Sequence, residues 1–217
     1  MAQSPKAEFE AIYQGAHIPW DIGEPQPALA ELVNAGWCVG VVLDAGCGTG
    51  ELGLAVARRG HTVTGLDVSP RAIELARRKA AERDLEARFE ATDITELTGY
   101  DDAFDTVVDS GLLHVLDPTA QERYLGVLRR VCRPGGRVAV LCFADVPGAR
   151  TPGGRGLTEA RLRELFTDGW EIEAFERAGV LGIIPEGLGE QSEWPKDDRG
   201  RTPMTGWRLR ARRRKTD

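Results

Sequence analysis

The sequence predicts an α/β protein built on a doubly wound sheet of seven strands, of which the first five are parallel and the last two form an antiparallel hairpin. A short apolar run ends at Asp44, a turn with glycine at every second position follows at residues 46–50, and a helical pattern begins directly after it. This strand–turn–helix unit opens such sheets, and the strand at residues 61–67 repeats its acidic end. Residues 170–176 and 206–212 alternate between apolar and polar side chains, which is typical of antiparallel strands with one wet face.

The remaining elements follow from local signals. Ser69 and Pro70 suit the N-cap and first position of a helix, and Thr158 suits the N-cap of a later one. The apolar residues 137–143 predict a parallel strand that is covered on both faces. In chain order we expect helices at 5–14, 27–34, 51–59, 70–83, 124–131 and 158–166, and strands at 41–44, 61–67, 87–92, 105–108, 137–143, 170–176 and 206–212.

The composition argues against several classes of protein. The net charge of −6 and the pI of about 5.3 argue against a general nucleic-acid binder, and the basic run at residues 208–215 is interpreted as an edge strand with a solvated tail. The four cysteines have no C-x-x-C spacing, so neither a zinc site nor a disulfide framework is expected. The sequence has no signal-peptide pattern, and no apolar run approaches the roughly 18 residues of a membrane span. These observations predict a cytoplasmic protein with no metal, membrane or nucleic-acid partner.

The glycine-rich turn carries the main functional signal. Gly46, Gly48 and Gly50 form G-x-G-x-G, whereas a dinucleotide-binding turn reads G-x-G-x-x-G and would place its third glycine at Glu51. A pyrophosphate beside that carboxylate would be unfavourable, although the N-terminus of the following helix offers N–H groups to a ligand. The turn therefore favours a ligand without a phosphate.

Residues 43–50 resemble the nucleotide-binding turn of class I S-adenosylmethionine (SAM) dependent methyltransferases. SAM carries a sulfonium and an ammonium but no phosphate, so the acid at Asp44 suits it. Asp67, Asp93 and Pro134-Gly135-Gly136 follow in the order of this family, and the resemblance covers nearly the whole chain. It implies a Rossmann-like fold, SAM as the cofactor and S-adenosylhomocysteine (SAH) as the product.

Acids at the ends of successive strands are expected to bind this cofactor. Asp67, with Val68 beside it, ends the second strand, where an acid takes the ribose hydroxyls in this fold. The resemblance implies that Asp93 takes the adenine amine while Ile94 packs on the ring; the alternative is that Asp93 only caps a short helix. Asp109 ends the fourth strand, at the edge where ligands bind in open α/β sheets.

Residues 19–27 narrow the resemblance. They look like a segment of thiopurine methyltransferases, of plant-type thiol and halide methyltransferases, and of bacterial heterocyclic toxin methyltransferases. Residues 109–116 look most like the last of these groups. The likeness implies that Trp20 closes over SAM and the substrate.

The resemblance also implies a domain organisation. We expect one methyltransferase domain over residues 1–217, in which residues 1–36 supply N-terminal helices and a lid over the active site and residues 37–217 supply the SAM-binding core. The sequence has no large inserted domain of the kind found in many protein or nucleic-acid methyltransferases, which favours a small acceptor. A monomer and a homodimer both stay open.

His114 is the predicted general base, because an imidazole ordinarily titrates near neutral pH, at about 6.5, and this one lies just past the cofactor strand. Asp21 is predicted to orient it, as carboxylates do for catalytic histidines. His17 is a rival to His114 for the role of base and, like Tyr13, is predicted to line the acceptor pocket. The loop at residues 146–157, rich in glycine, proline and arginine, is a candidate gate. We expect transfer of a methyl group to an O, N or S atom of a small aromatic or heterocyclic acceptor.

Three alternative functions stay open. A thiol or halide acceptor would need no general base, because its nucleophile is charged or easily ionised. A nicotinamide-dependent oxidoreductase uses the same kind of sheet, although Glu51 and the stretch at residues 134–136 argue against it. A non-catalytic SAM-binding protein is the third alternative, and the predicted lid and His114 argue only mildly against it.

Overall fold

The computed structural model describes residues 5–15, 17–151, 156–185 and 193–215. Its sheet has seven strands in the order β3-β2-β1-β4-β5-β7-β6. The strands are β1 (Val41–Ala45), β2 (Thr62–Asp67), β3 (Arg88–Ala91), β4 (Phe104–Ser110), β5 (Cys132–Phe143), β6 (Trp170–Gly182) and β7 (Thr202–Arg213). The helices are α1 (Pro5–Gln14), α2 (Pro27–Asn34), α3 (Glu51–Ala57), α4 (Pro70–Glu82), α5 (Pro118–Val131) and α6 (Glu159–Leu165), with single 3₁₀ turns at Ile94–Glu96 and Leu113–Val115.

The strand pairing confirms the predicted sheet. β1 lies at the centre and pairs in parallel with β2 and β4, while β3 and β5 extend the parallel part on either side. β7 is antiparallel to both of its neighbours, β5 and β6. The carboxyl ends of β1, β2 and β4 therefore meet at one edge, which is where an α/β sheet of this kind binds its ligand.

Helices cover both faces of the sheet. One face packs against α2 and α3, the other against α5 and α6, and a smaller cluster lies under α4. The first cluster includes Leu29, Leu32, Val42 and Leu52; the second includes Leu43, Val107, Leu128 and Leu162; the third includes Leu54, Ile73 and Phe89. Because both faces are covered, residues 137–143 of β5 are apolar nearly throughout, as the sequence predicted.

Helix α5 begins earlier than the apolar pattern indicates. The predicted start at residue 124 is wrong, because Asp117 and Pro118 provide an N-cap and a first helical residue. The Asp117 carboxylate accepts a hydrogen bond from the Ala120 N–H at 2.9 Å. The cap adds almost two turns to the helix, in which Tyr124 is fully buried.

The C-terminal hairpin is longer than its alternating segments. The predicted strands at residues 170–176 and 206–212 are correct but incomplete, because β6 and β7 stay paired from Trp170–Arg213 to Gly182–Thr202. The pairing of β5 with β7 ends at Phe143 and Gly206. We call the part of the hairpin beyond that point the hairpin arm (residues 179–182 and 202–205). Glycines interrupt the alternation there, so the pattern alone does not reveal it.

Among the residues that the structure describes, no helix has the length and apolar character needed to cross a membrane.

Candidate active site

The glycine-rich turn between β1 and α3 has a backbone that favours glycine. Gly48 has a φ of +52° and Gly50 a φ of +86°, a region that other residues rarely adopt. A Cβ on Gly48 would lie 2.9 Å from the Tyr13 hydroxyl oxygen, and one on Gly46 would lie 2.7 Å from the Leu112 Cβ. The turn is thus closely packed against these side chains and has no room for a Cβ at Gly46 or Gly48.

Asp44, at the end of β1, is a buried acid with an unsatisfied oxygen. Its Oδ2 accepts a hydrogen bond from the Gly53 N–H at 2.8 Å, whereas its buried Oδ1 has no partner. Burial, together with the charges of Asp109 and Asp67, raises the pKa of this carboxyl to about 7. A buried carboxylate oxygen without a donor is costly unless a cation or donor binds there. The ammonium and sulfonium of SAM fit this requirement, and a pyrophosphate does not.

Asp67, at the end of β2, is held against the turn. Its Oδ2 accepts from the Gly48 N–H and its Oδ1 from the Ser69 N–H, each at 2.9 Å. Burial raises the pKa of this carboxyl above its ordinary value. A carboxylate oxygen can accept two hydrogen bonds, so both oxygens have capacity left for hydroxyl donors. Val68, the next residue, is half-buried.

Asp93 and Ile94 follow β3. The exposed Asp93 carboxylate accepts from the Thr95 N–H at 2.9 Å and from the Thr95 hydroxyl at 2.7 Å, so it caps the short 3₁₀ turn. Ile94 is buried in the core cluster under α5. The contacts of Asp93 are thus those of a residue that caps a short helix, and its contact with the adenine stays a prediction.

Asp109, at the end of β4, is fully buried and bonded to the chain on both oxygens. It accepts from the Leu112 N–H at 2.8 Å, from the Leu113 N–H at 3.2 Å and from the Tyr124 hydroxyl at 2.9 Å. Burial raises the pKa of this carboxyl to about 7, despite these hydrogen bonds. Asp109 thereby shapes the loop that leads to His114, and its predicted contact with the cofactor stays a prediction.

His114 lies in the 3₁₀ turn after β4 and is half-buried. Its ring packs against the ring of Phe143 at the end of β5, with 4.5 Å between the centroids. The Nδ1 atom lies 3.5 Å from the Phe143 N–H nitrogen. The predicted base is therefore at the ligand edge of the sheet, beside an aromatic residue that sequence reasoning did not single out.

An aromatic group from the N-terminal part covers the turn. The Trp20 indole N–H donates to the Tyr13 hydroxyl at 3.1 Å, and the Phe9 ring meets Trp20 edge-on at 5.8 Å. Tyr13 is buried, whereas Trp20 is 38% exposed, the highest value among the large apolar side chains of the described residues. The exposed indole is available to a further ligand.

The residues around Trp20 form a strap (residues 17–26) that is fixed at the hairpin arm. The Ile183 N–H donates to the Pro19 carbonyl at 2.7 Å, and the His17 Nε2 lies 2.7 Å from the Ile183 carbonyl oxygen. The buried Gln26 side chain both donates to and accepts from the Leu181 backbone at 2.8 Å. His17 therefore bonds to the hairpin, and its predicted contact with the acceptor stays a prediction.

Asp21 fixes the strap to the glycine-rich turn. Its Oδ2 accepts from the Thr49 hydroxyl at 2.7 Å and from the Lys79 ammonium at 2.9 Å, and its Oδ1 accepts from the Gly23 N–H at 3.0 Å. The predicted pairing with His114 is not among these described bonds. Sequence reasoning missed Lys79 because it lies on an ordinary amphipathic helix.

Within the described part of the chain, no group of three or more histidine, cysteine or acidic side chains could hold a metal ion.

Comparisons with known proteins agree with this geometry. A family model described as a methyltransferase domain matches residues 42–136. The chain is 36% identical to the 2-heptyl-1-hydroxyquinolin-4(1H)-one methyltransferase of Mycobacteroides abscessus, over 98% of this chain and 100% of the relative. A structure solved for the conversion of a disulfide bond into a thioacetal group during echinomycin biosynthesis superposes with a TM-score of 0.85 at 37% identity, over 99% of this chain and 94% of the other. The 1,6-didemethyltoxoflavin-N1-methyltransferase of Burkholderia thailandensis shares the fold, with a TM-score of 0.70 at 23% identity over 99% of this chain and 92% of the other.

The chain therefore belongs to the class I SAM-dependent methyltransferases. Within that class it is a small-molecule methyltransferase, with SAM as its cofactor, and its whole length is similar to an enzyme named for a hydroxyquinolone.

Proposed function

We propose that the enzyme methylates an O, N or S atom of a planar heterocyclic acceptor that binds between the strap and His114. The observation that carries this proposal is the half-exposed Trp20 indole, held by Tyr13 above the glycine-rich turn. Aromatic side chains bind flat rings by stacking. The full-length relative named for a hydroxyquinolone supports a heterocycle of this kind.

The chain supplies a cofactor site from the ends of its central strands. The unpartnered Oδ1 of Asp44 fits the cationic end of SAM, and Asp67 with Val68 is proposed to hold the ribose. We include the other predicted contacts in the same proposal, namely the turn glycines Gly46, Gly48 and Gly50, the adenine pair Asp93 and Ile94, and Trp20 and Asp109.

The bound SAM would supply an electrophilic methyl group on a sulfonium. The protein aligns the acceptor with that methyl group, an effect worth up to roughly 7–11 kcal/mol in ideal intramolecular systems. His114 accepts a proton from an acceptor that is not yet ionised, which typically contributes about 10²–10⁴ in rate. Phe143 fixes the imidazole ring by packing against it. Asp21 as the partner of His114 stays a prediction, because its described bonds go to Thr49, Lys79 and Gly23.

The predicted organisation is part of this proposal, with residues 1–36 as the lid and residues 37–217 as the core of one domain. A cytoplasmic location is proposed because the four cysteines, all described, are free. The net charge of −6 supports an acceptor other than a nucleic acid. Tyr13 and His17 are proposed to line the acceptor side, and a monomer or homodimer is compatible with these features.

Turnover with an acceptor panel tests the proposal. We expect radiolabel from methyl-labelled SAM to enter 1-hydroxyquinolin-4-ones and related N-hydroxy or phenolic heterocycles. His114→Ala should lower kcat by about 10²-fold or more at neutral pH on phenolic acceptors, whereas an acidic N-hydroxy group needs little help from a base. The matched variant His61→Ala changes a half-buried histidine that directly precedes β2, at the opposite end of the strand from the site, and should keep full activity.

Two results would contradict the proposal. Full turnover of a phenolic acceptor by His114→Ala would contradict the role of His114 as the base. Turnover of thiols or halides alone, with no transfer to heterocycles, would favour the second candidate, a thiol or halide methyltransferase that needs no base. The 37% identical structure connected with thioacetal formation is the observation that keeps sulfur acceptors in the panel.

A further inference from the structure

An ion network joins the strap to the glycine-rich turn. We call it the latch (Asp21, Thr49, Glu51, Lys79 and Arg83). The Lys79 Nζ lies 2.9 Å from the Asp21 Oδ2, 2.8 Å from the Thr49 Oγ1 and 2.8 Å from the Glu51 Oε1. These three acceptors match the three N–H donors of an ammonium. Arg83, one turn further along α4, donates to both Glu51 oxygens at 2.8 Å.

The latch is balanced in charge and shielded from water. Two cations face two carboxylates, and the side chains of Asp21, Glu51 and Lys79 are only 16%, 10% and 17% exposed. Burial alone would raise the pKa of Asp21, but hydrogen bonds from Lys79 and Thr49 hold it below the ordinary value. Burial opposes the ionisation of Glu51 in the same way, and Arg83 and Lys79 lower its pKa. Both carboxylates are therefore ionised at neutral pH, and salt screens them only weakly.

The position of the latch gives it a role beyond general stability. Asp21 directly follows Trp20, whose indole is bonded to Tyr13, and the Tyr13 hydroxyl lies against Gly48. At its other side the strap is held by the bond between Pro19 and Ile183. The strap thus crosses from the hairpin arm to the turn, and Lys79 provides the charge that holds its turn-side end.

We propose that Lys79 is a positioning residue for the cofactor, which keeps the strap closed over the glycine-rich turn by binding Asp21, Thr49 and Glu51 together. The proposal rests on the proposed role of the strap as a lid. Lys79 acts through Asp21 and touches none of the reacting atoms. Loss of its charge frees the strap, and the bound nucleoside then leaves faster.

The test is the release of SAH from Lys79→Met, which keeps most of the side-chain length. We expect SAH to bind about tenfold more weakly, with most of the change in the dissociation rate, and the KM for SAM to rise with little change in kcat. Arg78→Met is the matched control, because Arg78 lies beside Lys79 on α4 in an exposed pair with Glu82; it should release SAH at the wild-type rate. Lys79→Arg keeps the positive charge and should bind SAH more tightly than Lys79→Met does.

A double-mutant cycle separates this role from simple stability. Asp21→Asn should accelerate SAH release like Lys79→Met, and the double variant should be no worse than either single variant, because all three lose the same interaction. Thermal unfolding of each variant shows how much of the network's contribution is structural.

A folded Lys79→Met variant that releases SAH at the wild-type rate would overturn the proposal, as would independent, multiplying effects of the two substitutions. If Lys79→Met does not fold, Asp21→Asn decides alone, because it leaves the Lys79–Glu51 pair in place; wild-type release then overturns the proposal. The release of SAH can be measured without an acceptor. The result therefore does not depend on the proposed acceptor or on the role of His114 as the base.

Discussion

Two buried acids, Asp44 on β1 and Asp109 on β4, lie at the ends of neighbouring strands and differ in how many of their carboxylate oxygens accept hydrogen bonds. Burial raises the pKa of each carboxyl to about 7. Both oxygens of Asp109 accept hydrogen bonds from the following loop and from Tyr124, whereas the Oδ1 of Asp44 has no partner. The protein's own donors thus satisfy both oxygens of Asp109 but only one oxygen of Asp44. The difference supports the proposed contact of Asp44 with the cationic end of SAM, and it gives Asp109 a structural role beside its proposed cofactor contact.

The largest expected effect is on cofactor binding by Asp44→Asn. Removing the charge that faces the SAM ammonium should weaken SAM binding about 100-fold, because a buried charge pair is only weakly screened. The free enzyme should lose little stability, since the substitution also removes a buried carboxylate with an unsatisfied oxygen. Calorimetric titration with SAM and thermal unfolding measure the two effects. If folded Asp44→Asn bound SAM with wild-type affinity, the proposed contact of Asp44 with the cationic end of SAM would be contradicted.

Asp109→Asn should show the reverse pattern. The amide NH₂ would face donors in place of an acceptor, so we expect a loss of about 2–3 kcal/mol in the free energy of unfolding. That corresponds to a melting temperature roughly 5–10 °C lower for a chain of this size. Thermal and urea unfolding measure the loss. The SAM affinity of the protein that remains folded should change far less than in Asp44→Asn.

Tyr124→Phe is the milder control for this variant. It removes only the hydroxyl that donates to Asp109 and should cost about 1–2 kcal/mol. A stability equal to that of the wild type in both variants would mean that the Asp109 contacts are dispensable.

The smallest effect is a difference in pH dependence. A carboxyl with a folded pKa of about 7 and an ordinary value of about 3.9 binds more protons in the folded state between these limits. Its contribution to stability is complete below the ordinary value and is lost as the pH rises towards 7, at up to about 1.4 kcal/mol per unit for each group. Asp44→Asn should remove one group's share of this slope from the free enzyme.

SAM should act on the same group with the opposite sign. A bound cation favours the ionised Asp44, so SAM affinity should rise with pH and level off above about 7. Binding titrations from pH 5.5 to 8.5, a range chosen around that value, measure this rise. Asp44→Asn serves as the reference that lacks this carboxyl, and a wild-type profile no steeper than that of the variant would contradict the assignment.

Most of the fold could be predicted from the sequence, because its signals are local. The apolar run into Asp44 and the glycine-rich turn define β1 and α3, and Pro27 and Ser69 mark two helix starts. The late start given to α5 shows the limit of periodicity, since a cap and a proline begin the helix before its apolar stripe does. The hairpin arm was missed for a related reason, as it has no alternating pattern.

The positions of the acids in the candidate site were predictable because each of them ends a strand. Asp44, Asp67 and Asp109 all lie at the predicted edge of the sheet, but their hydrogen bonds were not predictable. The bond between Asp21 and Lys79 joins residues 58 positions apart, and no sequence signal connects them. A long-range ion network depends on how helices pack, so it emerges only from the tertiary structure.

The side-chain amide of Gln26 helps to cover the outer edge of the sheet at β6. The backbone N–H and carbonyl groups of Leu181 and Ile183 form hydrogen bonds with the strap instead of with β7. Their partners are Gln26, Pro19 and His17. An unprotected outer strand offers such groups to a second molecule and invites aggregation. The segment proposed as the lid thus also covers the outer edge of the sheet, so an opening that broke these bonds would expose a surface prone to self-association.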